Sequence, residues 1–327
     1  AQAGPFGSAG RYHSSRHSSE AQLMHETAVT FPSDGATLAG SLDTPDGDAP
    51  YPTVLLIAGS GPLDRDANHK KMALNLSRDL AQILDEAGWA SLRFDKRGIG
   101  DSGGDYLSAG LFDELVDVEA AYDWLREQPE TGPIVAVGHS VGSIMAAELA
   151  GRRPDLAGAV LLSTTTKTGE ETLRWQTAQM AEHIVPPYVN AALRLFRTSV
   201  VKQQAKALDK LKATTTDVAR IQMVKTNAKW MREFIAYDPV PALERVRTPL
   251  LAITGTKDVQ VDVNDLATVA EVVPDAEVIA VGDVDHLLRH EPSPISNPRF
   301  YKKQFTKPID PRVVAALTDW LNPFLRG

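Results

Sequence analysis

"VAVGHSVGSI", residues 135–144, runs a β-branched apolar stretch directly into a Ser flanked by glycines. Two physical readings compete for it. The stretch can be a strand that ends in a Gly-rich turn of no chemical consequence. Alternatively, strand passes to helix so abruptly that side chains two residues either side of the central one would collide with neighbouring backbone, so that Gly is required there. The second reading lifts the Ser140 hydroxyl above the carboxyl end of a strand and onto the N-terminus of a helix. Helix dipole and free N–H groups, that of Val141 first, favour negative charge at that point. It requires a base and an acid elsewhere in the chain.

The flanking sequence supplies the strand–helix context. "TAVTFPSDGATLAGSLDTP" (27–45) alternates on both sides of "SDG", a hairpin signal. "PTVLLIAG" (52–59) is apolar without alternation, as expected of a strand buried on both faces. "ALNLSRDLAQILDEAGWA" (73–90) has the helical spacing of Leu74, Leu76, Leu80, Ile83 and Leu84, with Gly88 at the C-cap. A strand in "ASLRFDKRG", an acidic helix in "FDELVDVEAAYDWLREQ", the strand 134–138, a helix ended by Gly151 and Pro154, and the strand in "AGAVLLSTT" follow. The alternation predicts an α/β fold with a mostly parallel, doubly wound sheet.

At about Thr166 the rhythm breaks, and no strand-like run is evident before Tyr237. "GEETLRWQTAQMAEHI", the breaker Pro186–Pro187 and further helical stretches carry Trp175, Phe196, Met223, Trp230, Met231 and Phe234. Residues 166–237 therefore read as an all-helical insertion, placed as a cap or lid, between core segments 26–165 and 238–327. The rhythm resumes at "TPLLAITG" (248–255) and "AEVIAVGDVDH", and a Pro-rich segment leads to the closing helix "RVVAALTDWLNPF". Residues 1–25, rich in Ser, Gly, His and Arg and without an apolar core, read as a disordered lead, a tag or the stub of a processed leader. His13 and His17 within it carry no expected role.

Composition narrows the chemistry. The 327 residues are 43% hydrophobic and 23% charged, an ordinary globular balance. A formal net charge of −8 leaves no basic excess for phosphate neutralisation, which argues against nucleic acid as partner. Without cysteine there is no disulfide, no thiolate metal site and no Cys nucleophile. No run approaches the roughly eighteen apolar residues of a membrane span. Cytoplasmic and exported locations stay equally open.

A Ser hydroxyl needs a base to take its proton, and the base needs an orienting acid. On such a sheet these follow the nucleophile in the order acid, then His, at the ends of later strands. "LLAITGTKDVQ" sets Asp258 just past one buried strand and "EVIAVGDVDHLL" sets His286 just past the next. Asp262 and Asp265 are better placed to begin the next helix. His290 lies a turn too far, His139 is expected to point away from Ser140, and His69 and His183 read as loop or cap residues. A second oxyanion donor belongs in "IAGSGPLDRD" (57–66), where Gly59 and Gly61 make a compact turn. The Ser60 N–H is expected to join that of Val141, with Gly61 as the alternative donor. Asp64, Arg65 and Asp66 read either as a solvated loop face or as an ion-pair brace for that loop. "FDKRGIGDSGG" (94–104) has neither phosphate-loop nor dinucleotide spacing, and no cluster has metal-ligand spacing, so no cofactor and no metal is expected.

Together "AGSGP", "DKRGIGDS", "GHSVG", "GTKD" and "VDH", in that order from about residue 28 to the end, resemble the α/β-hydrolase superfamily. "GSGPLDRD", with an insertion before "YDPVPALERVRTPLLAITGTKD", looks like a group of bacterial serine carboxylesterases with a helical cap. Many relatives begin the oxyanion loop with His-Gly; here Ala58 precedes Gly59. The resemblance implies hydrolysis of small carboxylic esters, with short-to-medium acyl or aromatic groups, through an acyl-enzyme on Ser140 and without a cofactor. Acyltransferase, thioesterase or peptidase chemistry uses the same three residues, and a non-catalytic binding scaffold is the remote alternative. An Asp nucleophile of the dehalogenase type is disfavoured by Ser at position 140. Trp175, Phe196, Trp230 and Phe234 are the expected source of an apolar pocket.

Overall fold

The computed structural model describes residues 25–326 apart from 71, 187, 190–192, 194, 196, 197 and 222. The opening segment with His13 and His17, and Phe196 of the insertion, lie outside the described residues. Strands β1 (His25–Ser33) and β2 (Ala36–Thr44) form the expected hairpin, which begins at His25. Ser33 faces Ala36 across a turn in which Asp34 and Gly35 both have positive φ (31° and 76°), the two-residue geometry that suits twisted strands. The remaining strands are β3 (Tyr51–Ile57), β4 (Ala90–Phe94), β5 (Thr131–His139), β6 (Gly158–Leu162), β7 (Val218–Ile221), β8 (Val224–Asn227), β9 (Leu250–Gly255) and β10 (Glu277–Val281).

Eight of them form one sheet in the order β1-β2-β4-β3-β5-β6-β9-β10, parallel from β4 onward, with β2 antiparallel to β4. The helices are α1 (Leu76–Glu86), α2 (Leu111–Arg126), α3 (Val141–Arg152), α4 (Gly169–Gln179), α5 (Val200–Lys212), α6 (Ala228–Ala236), α7 (Asp265–Val272) and α8 (Pro311–Leu321), besides a short turn at Val240–Leu243. The unbroken apolar runs of the central strands have a direct cause. In β3, Leu55 and Ile57 join the core formed with α2, α3 and α7, while Val54 and Leu56 join the core formed with α1 and α8. Both faces are covered, so neither parity of the strand can be polar.

The insertion between β6 and β9 differs from its sequence reading in one respect: it is not all helical. Between α5 and α6, β7 pairs antiparallel with β8 across a turn in which Met223 has φ 69°. Each strand is only four residues long and neither face is deeply buried, so its alternation is too brief to stand out from a helical neighbourhood. Asn227 then caps α6 by accepting from the Trp230 N–H, while its amide donates to the Tyr106 and Ala109 carbonyls (2.7 and 2.6 Å) and ties the insertion to the sheet domain. Among the described residues no helix is long and apolar enough to cross a membrane.

Candidate active site

β5 ends at His139 and α3 begins at Val141, so Ser140 alone makes the turn, at φ 55° and ψ −122°. A non-glycine residue in such a conformation costs roughly 1–3 kcal/mol and persists only where its surroundings enforce it. Here they do. The Ser140 N–H donates to the Leu162 carbonyl of β6 (2.9 Å), and the Ser140 carbonyl accepts from the Ser143 N–H. The glycines either side meet the steric demand inferred for them. A Cβ on Gly138 would overlap the Gly142 carbonyl, and one on Gly142 would overlap the Ile57 carbonyl of β3. Gly138→Ala is expected to destabilise the fold by roughly 3 kcal/mol or more, because backbone rather than a pliable side chain stands in the way. A urea midpoint within experimental scatter of wild type would show that the turn has slack.

Asp258 follows β9 by three residues and His286 follows β10 by five. Their loops are zipped together. The Thr256 N–H donates to the Val281 carbonyl and the Lys257 N–H to the Val284 carbonyl (both 2.9 Å), and Gly255 leaves room for that second carbonyl. This brings His286 Nδ1 to 2.7 Å from Asp258 Oδ2, with both side chains almost wholly buried. The other carboxylate oxygen accepts from the Gln260 and Val261 N–H groups (2.7 and 3.0 Å). Burial pushes the Asp258 carboxyl up, but the charge and hydrogen bond of His286 and those two N–H groups outweigh it and hold it below the usual carboxylate range. Ser140 and His286 line one cavity.

The loop after β3 lies against the same turn. A Cβ on Gly59 would stand 3.2 Å from the Ser140 Cβ, and Gly61 adopts φ 102°. Ser60 lines the space in front of Ser140, and the first N–H groups of α3, including that of Val141, have no acceptor within the helix. Arg65 clamps this loop onto the end of β4. Its N–H and its Nε donate to Asp95 Oδ1 (2.7 and 3.1 Å), and Nη1 reaches the Gly40 carbonyl (3.2 Å). Asp64 accepts from the N–H groups of Asp66 and Asn68 (3.0 and 2.8 Å), and Asp66 pairs with Arg93 of β4. Asp262 and Asp265 stand apart from His286; both pair with Lys167, and Asp265 starts α7. His290 approaches Asp310 (3.8 Å), while His69 and His183 line neither of the cavities described below.

His139 does not point away from Ser140. Strand alternation fails at the sharp Ser140 turn, and the His139 ring lines the same cavity as Ser140 and His286. Its Nε2 donates to the His286 carbonyl (2.8 Å), and the two rings lie 4.8 Å apart. Burial, followed by the charge of His286, pushes His139 down to about 3, so it serves as a neutral donor that fixes the backbone of His286. Between pH 6.5 and about 3 the unfolded chain binds a proton there that the folded chain refuses, so this contribution to stability falls as pH falls. His139→Asn is expected to flatten the acid-side decline by up to about 1.4 kcal/mol per pH unit in urea titrations from pH 7 to 4. Asp285, which burial pushes up to about 6, acts in the opposite sense and cancels between the two proteins. An unchanged slope would refute the neutral state of His139.

Two cavities meet at Ser140, and Ser60 and Gln260 line both. One, of about 180 Å³, is bounded by Leu63, Met72, Leu74, His139 and His286. The other, of about 150 Å³, lies under the insertion, bounded by Ile144, Thr172, Leu173, Trp230, Met231 and Phe234. Of the four aromatic residues expected to make a pocket, Trp230 and Phe234 do so, stacked with ring centroids 5.0 Å apart, while the half-buried Trp175 lines neither cavity. The sequence reading missed Gln260 and Met72. Gln260, two residues past Asp258, is signalled by its place; Met72 carries no local signal.

A mostly parallel sheet whose fifth strand turns through a strained Ser directly into a helix is the architecture of an α/β hydrolase. The chain belongs to the family described as Hydrolase_4, serine aminopeptidase, S33, whose model matches residues 72–293. It is 24% identical over 288 residues to Esterase EstD of Thermotoga maritima, a match covering 87% of this chain and 65% of that protein. Among solved structures it resembles the Pyrococcus furiosus esterase Pf2001 (TM-score 0.61, 17% identity, 92% of each chain covered). Est1E of Butyrivibrio proteoclasticus, solved with ferulic acid bound, is similar at TM-score 0.61 and 16% identity, with 92% of this chain and all of that one covered. At these identities the structural likeness concerns the fold.

Proposed function

We propose that the protein is a carboxylic-ester hydrolase acting through an acyl-enzyme on Ser140. The observation that carries this reading is the buried Asp258–His286 pair, closed to 2.7 Å and facing the cavity into which the strained Ser140 turn projects. His286 takes the hydroxyl proton as Ser140 Oγ attacks the ester carbonyl. The N–H groups of Val141 and Ser60 receive the developing oxyanion, and Asp258 holds the imidazole with its Nδ1 protonated and stabilises the imidazolium. The C–O bond to the alcohol then breaks as His286 returns the proton to the departing oxygen. Water, activated by the same base, releases the acid and restores Ser140. Gly59 and Gly61 shape the oxyanion loop, and the Asp64, Arg65 and Asp66 contacts hold it against β4.

The esterase named EstD and the esterases among the solved structures support ester chemistry. The family description points to peptides, and one feature weighs against that. An aminopeptidase has to hold the substrate's ammonium group, yet no carboxylate lines either cavity among the described residues. The reading is tested with p-nitrophenyl esters from acetate to palmitate beside an aminoacyl p-nitroanilide. Release of nitrophenol from the short esters with no cleavage of the anilide is expected. The reverse preference would replace esterase by peptidase on the same residues.

A further inference from the structure

Only one of the two cavities that meet at Ser140 contains the base, and this asymmetry orients a substrate. On the serine-esterase reading, on which this step rests, the alcohol oxygen can leave only when His286 protonates it. The alcohol must therefore lie on the His286 side of the reacting carbon. The oxyanion is turned to the N–H groups of Val141 and Ser60. The remaining substituent, the acyl group, is left to the cavity that contains Ser140 and Val141 but not His286.

We infer that the ester straddles Ser140 with its alcohol among Leu63, Met72 and Leu74 and its acyl group under the insertion against Trp230 and Phe234, and that the acyl group is uncharged and about the size of a single ring. Two observations set that class. No Asp, Glu, Lys, Arg or His lines the acyl cavity among the described residues, so an ionised acyl group would enter unpaired. Three of its polar side chains are engaged within the protein: Thr165 donates to Asp265 (2.9 Å) and pairs with Thr172 (3.1 Å), and Gln176 donates to the Gln260 carbonyl (2.7 Å). What remains is an apolar chamber with a stacked aromatic wall. Its volume, about 150 Å³, matches the size at which an apolar cavity admits one benzene ring. A long fatty acyl chain exceeds that volume.

The inference distinguishes two families of probe esters. With p-nitrophenol as the common alcohol, benzoate is expected to exceed decanoate at least tenfold in kcat/KM. With acetate as the common acid, phenyl and 1-naphthyl acetates report on the other cavity. Met231 and Met72 are partly exposed, so each tolerates a larger side chain. Met231→Trp is expected to lower the benzoate-to-acetate ratio at least tenfold and to leave the naphthyl-to-phenyl ratio within twofold. Met72→Trp is expected to do the converse. Met231→Ala, which enlarges the acyl cavity, is expected to raise the decanoate-to-acetate ratio at least fivefold. If Met231→Trp moved the alcohol ratio and Met72→Trp the acyl ratio, or if both ratios moved together, the subsite assignment would fall while the esterase reading stood. Decanoate turned over as well as benzoate by the wild type would overturn the size limit. If wild type hydrolysed none of these esters, the underlying reading would fall, and the subsites with it.

Discussion

Ser140→Ala is expected to lower kcat for p-nitrophenyl acetate by at least about 10⁴-fold while leaving the unfolding free energy from urea titration within about 1 kcal/mol of wild type. The two halves of this expectation have separate causes. On the proposed mechanism, removing the hydroxyl removes the atom that forms the acyl bond, and the surviving N–H groups would stabilise an oxyanion only for slow attack by water. The turn itself does not depend on the hydroxyl. It is held by the Ser140 N–H on the Leu162 carbonyl, by the Ser143 N–H on the Ser140 carbonyl and by the two glycines, and Ala at φ 55° is no more strained than Ser. Single-turnover assays on the folded variant check it. Retention of a tenth of the wild-type rate would remove Ser140 from the mechanism.

Asp258→Asn carries the second large expectation, a loss of about 10⁴-fold in kcat with little change in KM. The Asn oxygen can still accept from the Gln260 and Val261 N–H groups, so the loop keeps its shape. Its amide, however, presents a donor to His286 Nδ1 where the carboxylate presented an acceptor. The imidazole then carries its proton on Nε2 and cannot take one from Ser140. In the wild type the Asp258 carboxyl is held below its ordinary value, so its contribution to stability is present above pH 3.8 and lost as pH falls through the depressed folded value. The variant is expected to lack that acid-side loss. Activity within tenfold of wild type would make Asp258 a structural residue and direct the search for the orienting group elsewhere.

Much of this was legible in the chain because it is written in local chemistry. G-x-S-x-G between an apolar run and a helix announces a turn that only glycines permit, and the overlaps at Gly138 and Gly142 are the physical content of that motif. The double-faced apolar strands disclose a sheet covered on both sides. "GTKD" and "VDH" sit at strand ends, where an open parallel sheet gathers its functional groups. The hairpin β7–β8 was missed because two four-residue strands leave too short a pattern to separate from helical neighbours. His139 departs from the direction that strand alternation predicts because the next residue's backbone abandons the strand.

The residue types and their order along the chain thus determined the fold class and the strained turn at Ser140, and set Asp258 and His286 at strand ends as the proposed acid and base, since each follows from backbone sterics or from the end of a buried strand. Only the tertiary structure decided that His139 holds the His286 carbonyl, that Arg65 clasps Asp95, and that two cavities rather than one open at Ser140. Those facts join residues brought together from distant parts of the chain, and no local pattern encodes them. They arise only when sheet order and the packing of the insertion bring those side chains to one edge.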